Sequence, residues 1–258
     1  MTKQMLEVIK NLPFEEYISN KDRISNHQLS QLAKTPATFH AHLTAPPVES
    51  SADQKEGSCF DLLMEAPDLF HEFVKRDDKR KTIAEEDNGN YLLGYERYDR
   101  LLIMAKNTRE HPRLKNVLKD GDFQVSVFTT LEGVKVKSRP DFLPRNRPWI
   151  FDFKTTRVHP TPRAIRNEVT KFRYWQQAPF YLDQLPDREV FAFIFASKDP
   201  PDYLVTVDEA KPALLEHGRA EYRRLLELYK QCKETGIWPG YWDVRPLTLP
   251  KCVLEGKE

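Results

Sequence analysis

The sequence predicts an α/β fold in which a mixed central sheet is flanked by helices and preceded by a helical N-terminal part. Two observations carry this. Apolar spacing is helical up to about residue 118 and then changes to the alternation of strands. From there the core reads helix, three strands, helix, strand, strand, helix. The 258 residues, 40% of them apolar, suit a single domain over 1–258. Within it the helical part covers about 1–118, the core about 119–235 and an irregular tail 236–258.

Ser25-Asn26-His27-Gln28 has the form of a capping box and opens a helix that stops before Thr35-Pro36. A second short helix, ATFHAHL, follows. The proline-led stretch 46–56 reads as a loop, and GSCFDLLMEAP as a helix burying Phe60, Leu63 and Met64. Residues 75–90 are dense in charge and read as a mobile excursion. The next helix, YLLGYERYDRLLIMAKNTREH, ends at His111-Pro112. Three strands are expected over 124–130, 134–140 and 149–156, the first two joined by Leu131-Glu132-Gly133. Thr161-Pro162 caps a helical region that runs to about Leu185, in which Pro179 either breaks or kinks the helix or opens a second one near Trp175. Residues 190–197 read as a fully buried strand and 203–207 as another. A long last helix is expected from Asp208 to Gly236.

Composition narrows the function classes. A net charge of +1 removes bulk attraction for nucleic acid, so any such surface must be local. Cys59, Cys232 and Cys252 are far apart and include no CxxC pair, which argues against an iron–sulfur cluster, a zinc ribbon or a disulfide framework. The first residues have no leader pattern, and no stretch approaches the roughly 20 apolar residues that span a bilayer. A cytoplasmic protein with no membrane partner is expected.

The informative stretch is SRPDFLPRNRPWIFDFKTT, residues 138–156. On a strand, residues two apart share a face, so Asp152 and Lys154 point one way and Phe151 and Phe153 the other. If 134–140 and 149–156 form a hairpin, Asp141 lies beside Asp152. Two adjacent carboxylates either share a proton or hold a divalent cation. Their hard oxygens suit Mg²⁺ or Mn²⁺, and a lysine alongside can orient or deprotonate water or steady a phosphate. D-x-K alone is often an ordinary surface pair; the two acids in this strand order are more specific.

Pro140-Asp141 followed by Asp152-Phe153-Lys154 resembles the signature of the PD-(D/E)XK nuclease superfamily. Over roughly residues 17–253 the chain is similar to the RecE exonuclease (exodeoxyribonuclease VIII) family. ISNHQLSQLAKTPATFHAHL, GSCFDLLMEAPDLF, REHPRLKNVL, RYWQQAPFYLDQL and WPGYWDVRPLTLP carry that likeness. It implies a PD-(D/E)XK nuclease fold and a metal-dependent exonuclease acting on the ends of linear double-stranded DNA, 5′→3′. The product is a 3′ single strand for an annealing protein in a recombination system of phage type. It also implies a homo-oligomeric ring in a bacterial or phage-infected cell. Asp141 and Asp152 become metal ligands with Lys154 as the catalytic amine, and Gln177 and Tyr181 become the family's Gln-x-x-x-Tyr element.

Two positions depart from the family pattern. Asp61 stands where a histidine is usual and Gln124 where a glutamate is usual. Asp61 can still offer an oxygen to metal, whereas Gln124 offers only a neutral carbonyl. The departures leave open a catalytically degenerate DNA-binding or regulatory protein, and the superfamily leaves open an endonuclease. Arg139 is either a phosphate contact or a solvated strand-end charge. Thr155 and Thr156 are phosphate donors or ordinary strand-end residues, and Tyr181 without the likeness is a core residue with a polar tip. Lys75, Arg76, Lys79, Arg80 and Lys81 form one basic cluster, and Arg163, Arg166, Lys171 and Arg173 another. Either is a phosphate track or a solvated face. Trp175, Trp238 and Trp242 are base-stacking candidates or packing residues. The histidines do not suggest a metal pair.

Overall fold

The computed structural model describes residues 6–46, 48–86 and 89–241. Strand β1 (Glu7–Ile9) and helix α1 (Phe14–Ser19) come first. Helix α2 (Asn26–Leu32) starts on the expected capping box: the Gln28 N–H donates to Ser25 Oγ at 3.3 Å, and the Ser25 N–H donates to Gln28 Oε1 at 2.9 Å. Thr35 caps α3 (Pro36–Thr44). Helix α4 (Ala52–Glu65) begins earlier than predicted, because Ser51 and Gln54 form a second capping box. Part of the expected loop over 46–56 is therefore helical.

Helix α5 (Pro67–Phe73) leads into a correction. The charged run after it is not a loose excursion. Strands β2 (Val74–Asp77), β3 (Ile83–Glu85) and β4 (Tyr91–Gly94) form a small sheet in the order β2-β4-β3. Val74, Ile83 and Leu93 anchor it to the core. Its charges pair locally, Arg76 with Asp78 and Asp99, and Arg80 with Asp77. The N-terminal part is thus not purely helical, and α6 (Tyr95–Glu110) starts four residues later than its apolar pattern suggests.

Strands β5 (Gly121–Phe123), β6 (Ser126–Leu131), β7 (Val134–Ser138) and β8 (Phe142–Pro144) form one bent hairpin. Its turn, Glu132-Gly133, has φ of 49° and 78°, the left-handed pair that a two-residue hairpin requires. Phe123 faces Phe142 and Val127 faces Ser138, so one register runs through the bend. At the bend Gln124 has φ 48°, and N–H bonds from Gln124 to Asp141 O and from Val125 to Pro140 O carry the ladder across. The bend divides the hairpin between two sheets. One half joins β1 in the order β1-β6-β7, and the other joins β9 (Trp149–Thr156). The expected pairing of 134–140 with 149–156 is therefore not formed; β8 pairs with β9, Phe142 opposite Phe151.

Helix α7 (Pro162–Lys171) is capped by Thr161, and α8 (Tyr174–Leu182) follows after Arg173 at φ 56°. The second helix thus opens beside Trp175, one of the two expected outcomes, and Pro179 lies inside α8 without ending it. Strand β10 (Val190–Ser197) runs parallel to β9, and β11 (Val205–Glu209) antiparallel to β10. Asp208 thus belongs to a strand, and α9 (Pro212–Thr235) begins after it. Gly218 of α9 crosses α8 where a Cβ would lie 2.0 Å from the Trp175 carbonyl, the one that proline at 179 leaves without its helical N–H. Only glycine permits that approach.

The main sheet has the order β11-β10-β9-β8-β5. On one face Phe151, Phe153 and Ile194 pack against Phe60 and Leu63 of α4 and Leu101 and Met104 of α6. On the other, Ile150, Phe193 and Phe195 pack against Ile165 of α7 and Ala178 and Leu182 of α8. Each such buried phenylalanine contributes about 1.5–3 kcal/mol, so β9 is held firmly from both sides. No helix among the described residues is long and apolar enough to cross a membrane.

Candidate active site

Strand β9 carries Asp152, which is 2% exposed, and Lys154 on the face toward α7 and α8. Asp141 sits at the bend, just past the Phe142–Phe151 pair. There its side chain substitutes for a strand carbonyl: Oδ2 accepts the Phe153 N–H at 2.7 Å. Its Oδ1 accepts from Gln124 Nε2 at 3.0 Å. Gln124 Oε1 in turn accepts from Arg139 Nε at 3.2 Å, which fixes which end of the amide faces Asp141. Arg139 also donates to Leu12 O at 2.9 Å and packs against the rings of Phe14 and Tyr17. It is a half-buried brace, neither solvated nor turned to a ligand.

Asp152 Oδ1 accepts from Gln177 Nε2 of α8. Its other oxygen, Oδ2, is buried without a hydrogen-bond donor of good geometry and is held only by an ion pair with the Lys154 ammonium. That ammonium lies 4.9 Å from the centre of the Tyr174 ring. A cavity of about 1070 Å³ opens in front, with Asp61, Lys154, Thr155, Gln177 and Tyr181 on its wall. Asp141 and Asp152 stand behind that wall. Asp61 makes no hydrogen bond or ion pair among the described residues.

The charges do not balance. Burial raises the Asp141 carboxyl well above its ordinary range, and Asp152 and Asp61 raise it further against the opposing Lys154. Burial likewise pushes Asp61 up to about 7, with Asp152 and Glu65 adding and Lys154 opposing. For Lys154, burial favours the neutral amine. Asp152, Tyr174 and Asp141 outweigh it and hold the group as an ammonium.

Among the described residues no three His, Cys, Asp or Glu side chains surround a point as ready-made metal ligands. The donor set nevertheless fits a hard divalent cation. Three mutually repelling carboxyls cluster at or just behind one cavity wall, one buried Asp152 oxygen is held only by the Lys154 ammonium, and Lys154 is the cation that opposes both Asp61 and Asp141. Gln124 does not add to that set, because its oxygen is turned to Arg139.

Some groups were invisible in the sequence. Tyr174 lies under Lys154; the only signal was its spacing of three from Gln177 on a helix. Of the basic residues, Lys171 lines the cavity, Arg173 pairs with Glu221 at 2.8 Å, and none of the five over 75–81 lines it. Trp238 stacks on Phe39 and His40, and Trp175 lies against His217, so both are packing residues here. Trp242 lies outside the described residues. His71 and His159 bond Tyr98 and Asp199.

Comparison with known proteins agrees with this architecture. Among curated proteins none matches the sequence. Among solved structures, a candidate exonuclease from Eubacterium rectale superposes with a TM-score of 0.68 at 17% identity, over 95% of this chain and 98% of that one. At that identity it shows a shared fold. An alkaline exonuclease from Laribacter hongkongensis aligns at 15% identity over 86% of this chain and 96% of that one, but its TM-score of 0.38 carries no argument. The sequence profile of the PDDEXK-like domain of unknown function DUF3799 matches residues 25–243, which hold every side chain of the acidic site. The chain therefore belongs to that PDDEXK-like family, within the PD-(D/E)XK nuclease group.

Proposed function

We propose that the protein is a metal-dependent exodeoxyribonuclease that degrades one strand of linear double-stranded DNA from its 5′ end. The observation that carries this reading is the acid excess at the cavity: Asp61, Asp141 and Asp152 against the single amine of Lys154. Asp141 and Asp152, helped by Asp61, would hold Mg²⁺ or Mn²⁺. The bound ion neutralises phosphate charge and makes water more acidic. Lys154, paired with Asp152 at the cavity wall, can orient or deprotonate the attacking water or steady the phosphate. Gln177 holds Asp152, and the Gln124–Arg139 pair holds Asp141. Thr155, on the cavity wall, can donate a hydroxyl to a phosphate oxygen. The polarity, a ring-shaped homo-oligomer and a single-strand annealing partner rest on the RecE resemblance.

A metal titration with 5′-labelled and 3′-labelled linear duplexes tests the reading, with Lys154→Ala as control. Loss of the 5′ label first, only with Mg²⁺ or Mn²⁺, is expected, and covalently closed circles should survive. Cleavage of circles would make the protein an endonuclease. Intact linear duplexes with both metals would refute catalysis.

A second reading has its own observation. Gln124 places an amide N–H on Asp141 Oδ1, where the family pattern would place another acid. A protein that binds DNA without turnover would fit that substitution. Salt-sensitive DNA binding with no cleavage, and cleavage gained in Gln124→Glu, would establish it.

A further inference from the structure

Between α7 and α8 the chain makes a single sharp step. Arg173 adopts φ 56°, ψ 33°, a left-handed conformation uncommon for a residue with a side chain. Its guanidinium is anchored on both sides, to Gln176 Oε1 at 2.9 Å and to Glu221 at 2.8 Å. The step sets the two flanking rings against each other. Phe172 and Tyr174 stack with centroids 5.6 Å apart and planes at 26°. Tyr174 is the inner ring. It packs on Phe193 and Phe195 of the sheet and carries the Lys154 ammonium over its face. Phe172 is the outer ring, and it is 47% exposed.

A continuous ladder thus runs from the amine of the acidic site to the open cavity: Lys154, Tyr174, Phe172. Both rings line that cavity. The outermost rung is capped by Lys171, whose ammonium lies 4.8 Å from the Phe172 centroid and makes no ion pair among the described residues. Phe172 belongs to none of the hydrophobic core clusters. Holding it in place with a left-handed arginine costs roughly 1–3 kcal/mol of backbone strain. A packing role explains Tyr174 and leaves Phe172 unexplained.

We propose that Phe172 is a stacking platform for an unpaired nucleobase of the DNA end, next to the phosphate held at Lys154. The proposal rests on the nuclease reading above and adds a subsite to it. The chemistry fits the occupant. Every base offers a flat π-face, so stacking tolerates any sequence, as an exonuclease must. Lys171, on a long unbranched stem, can leave the ring to the base and turn to the neighbouring phosphate. Tyr174 then serves as the positioning residue between the platform and Lys154.

The test compares two probes: a linear duplex whose last few bases are unpaired, and its counterpart with abasic residues at those positions. Calcium replaces magnesium so that binding is read without cleavage. Wild type should bind the abasic probe about tenfold more weakly. Phe172→Ala should bind the normal probe about tenfold more weakly and no longer distinguish the two, while Phe172→Trp keeps the distinction. Lys171→Ala should lower the slope of log affinity against log salt by about 1 and leave the distinction intact. A thermal melt of each variant confirms folding. If Phe172→Ala still discriminates as wild type does, or if wild type binds both probes equally, the platform is refuted and the nuclease reading stands. If wild type binds neither probe, the nuclease reading itself fails and takes the platform with it.

Discussion

Helix α4 carries two acids with opposite surroundings, one fully buried and one on the cavity wall. Glu56 is 0% exposed and is met by Arg97 at 2.6 Å, by Arg100 and by Lys198 at 3.4 Å. Less than two turns later Asp61 faces Asp141 and Asp152, with Lys154 as the nearest cation. One acid with three cations is how a fold satisfies a buried charge. Three acids with one amine is how a fold leaves charge unsatisfied. Since the same helix does both, the imbalance at Asp61 does not come from a shortage of basic residues. It marks the place where something other than the chain completes the site.

Mutating one acid from each group should separate the two roles most widely. Asp152→Ala should lower Mn²⁺-dependent cleavage of linear duplex by about 10³-fold or more while the melting temperature stays near that of wild type. Glu56→Ala should do the reverse. It strands Arg97, Arg100 and Lys198 around a cavity and should cost about 3–5 kcal/mol in denaturant unfolding. If Asp152→Ala unfolds the protein and Glu56→Ala leaves its stability untouched, the roles assigned to the two acids are exchanged.

The next effect is a pH slope, with opposite signs for balanced and unbalanced acids. Asp183 belongs to the balanced kind. It accepts from Arg219 Nε at 2.7 Å and from the Tyr222 hydroxyl, and these bonds outweigh burial and hold its carboxyl below the ordinary range. Its stabilisation is present above the unfolded value near 3.9 and is lost as pH falls through the lower folded value. Asp61 is raised to about 7, so the folded state keeps a proton that the unfolded state has released. Its contribution is full below about pH 4 and is lost as pH rises through about 7, and Asp141 acts in the same sense. Relative to Asp61→Asn, the metal-free protein should therefore lose on the order of 1–3 kcal/mol between about pH 5 and pH 8. Added Mn²⁺ should recover that loss, and Asp61→Asn should flatten the slope. A metal-free melting temperature that runs parallel to that of Asp61→Asn over this range would contradict the charge imbalance.

The balanced and unbalanced groups also differ in how legible they were. Strands 149–156 and 190–197 were bounded correctly because continuous apolar runs leave little choice of register. Asp152 and Lys154 were legible because their spacing on one strand is local. The Glu56 group was not, since its partners lie 41 or more residues away and nothing local marks them. The bend at Gln124 was hidden for another reason: a left-handed glutamine has no turn signature, and it is the bend that lets Asp141 cap the Phe153 N–H. Asp208 looked like a helix cap, but pairing of β11 with β10 overrode that local preference. The small sheet over 74–94 was masked by charges that pair within it and on α6.

The finest test acts at that bend. Gln124 now gives Asp141 a donor and takes one from Arg139, so it moderates the acid excess without adding to it. Gln124→Glu would exchange that donor for a further charge beside the half-buried Asp141 carboxyl. Arg139 remains in reach as a partner, which limits the damage to about 1 kcal/mol in the metal-free protein. With Mn²⁺ the extra oxygen should help, tightening metal binding by up to about tenfold, since one more anionic group faces the ion. Calorimetric titration with Mn²⁺ and a metal-free melt read the two effects separately. Loss of stability without metal together with tighter Mn²⁺ binding would make the unbalanced group more unbalanced and more avid. A variant that is stabilised without metal, through a stronger Glu–Arg139 pair, would instead show that the bend belongs with Glu56 and Asp183 among the balanced charges.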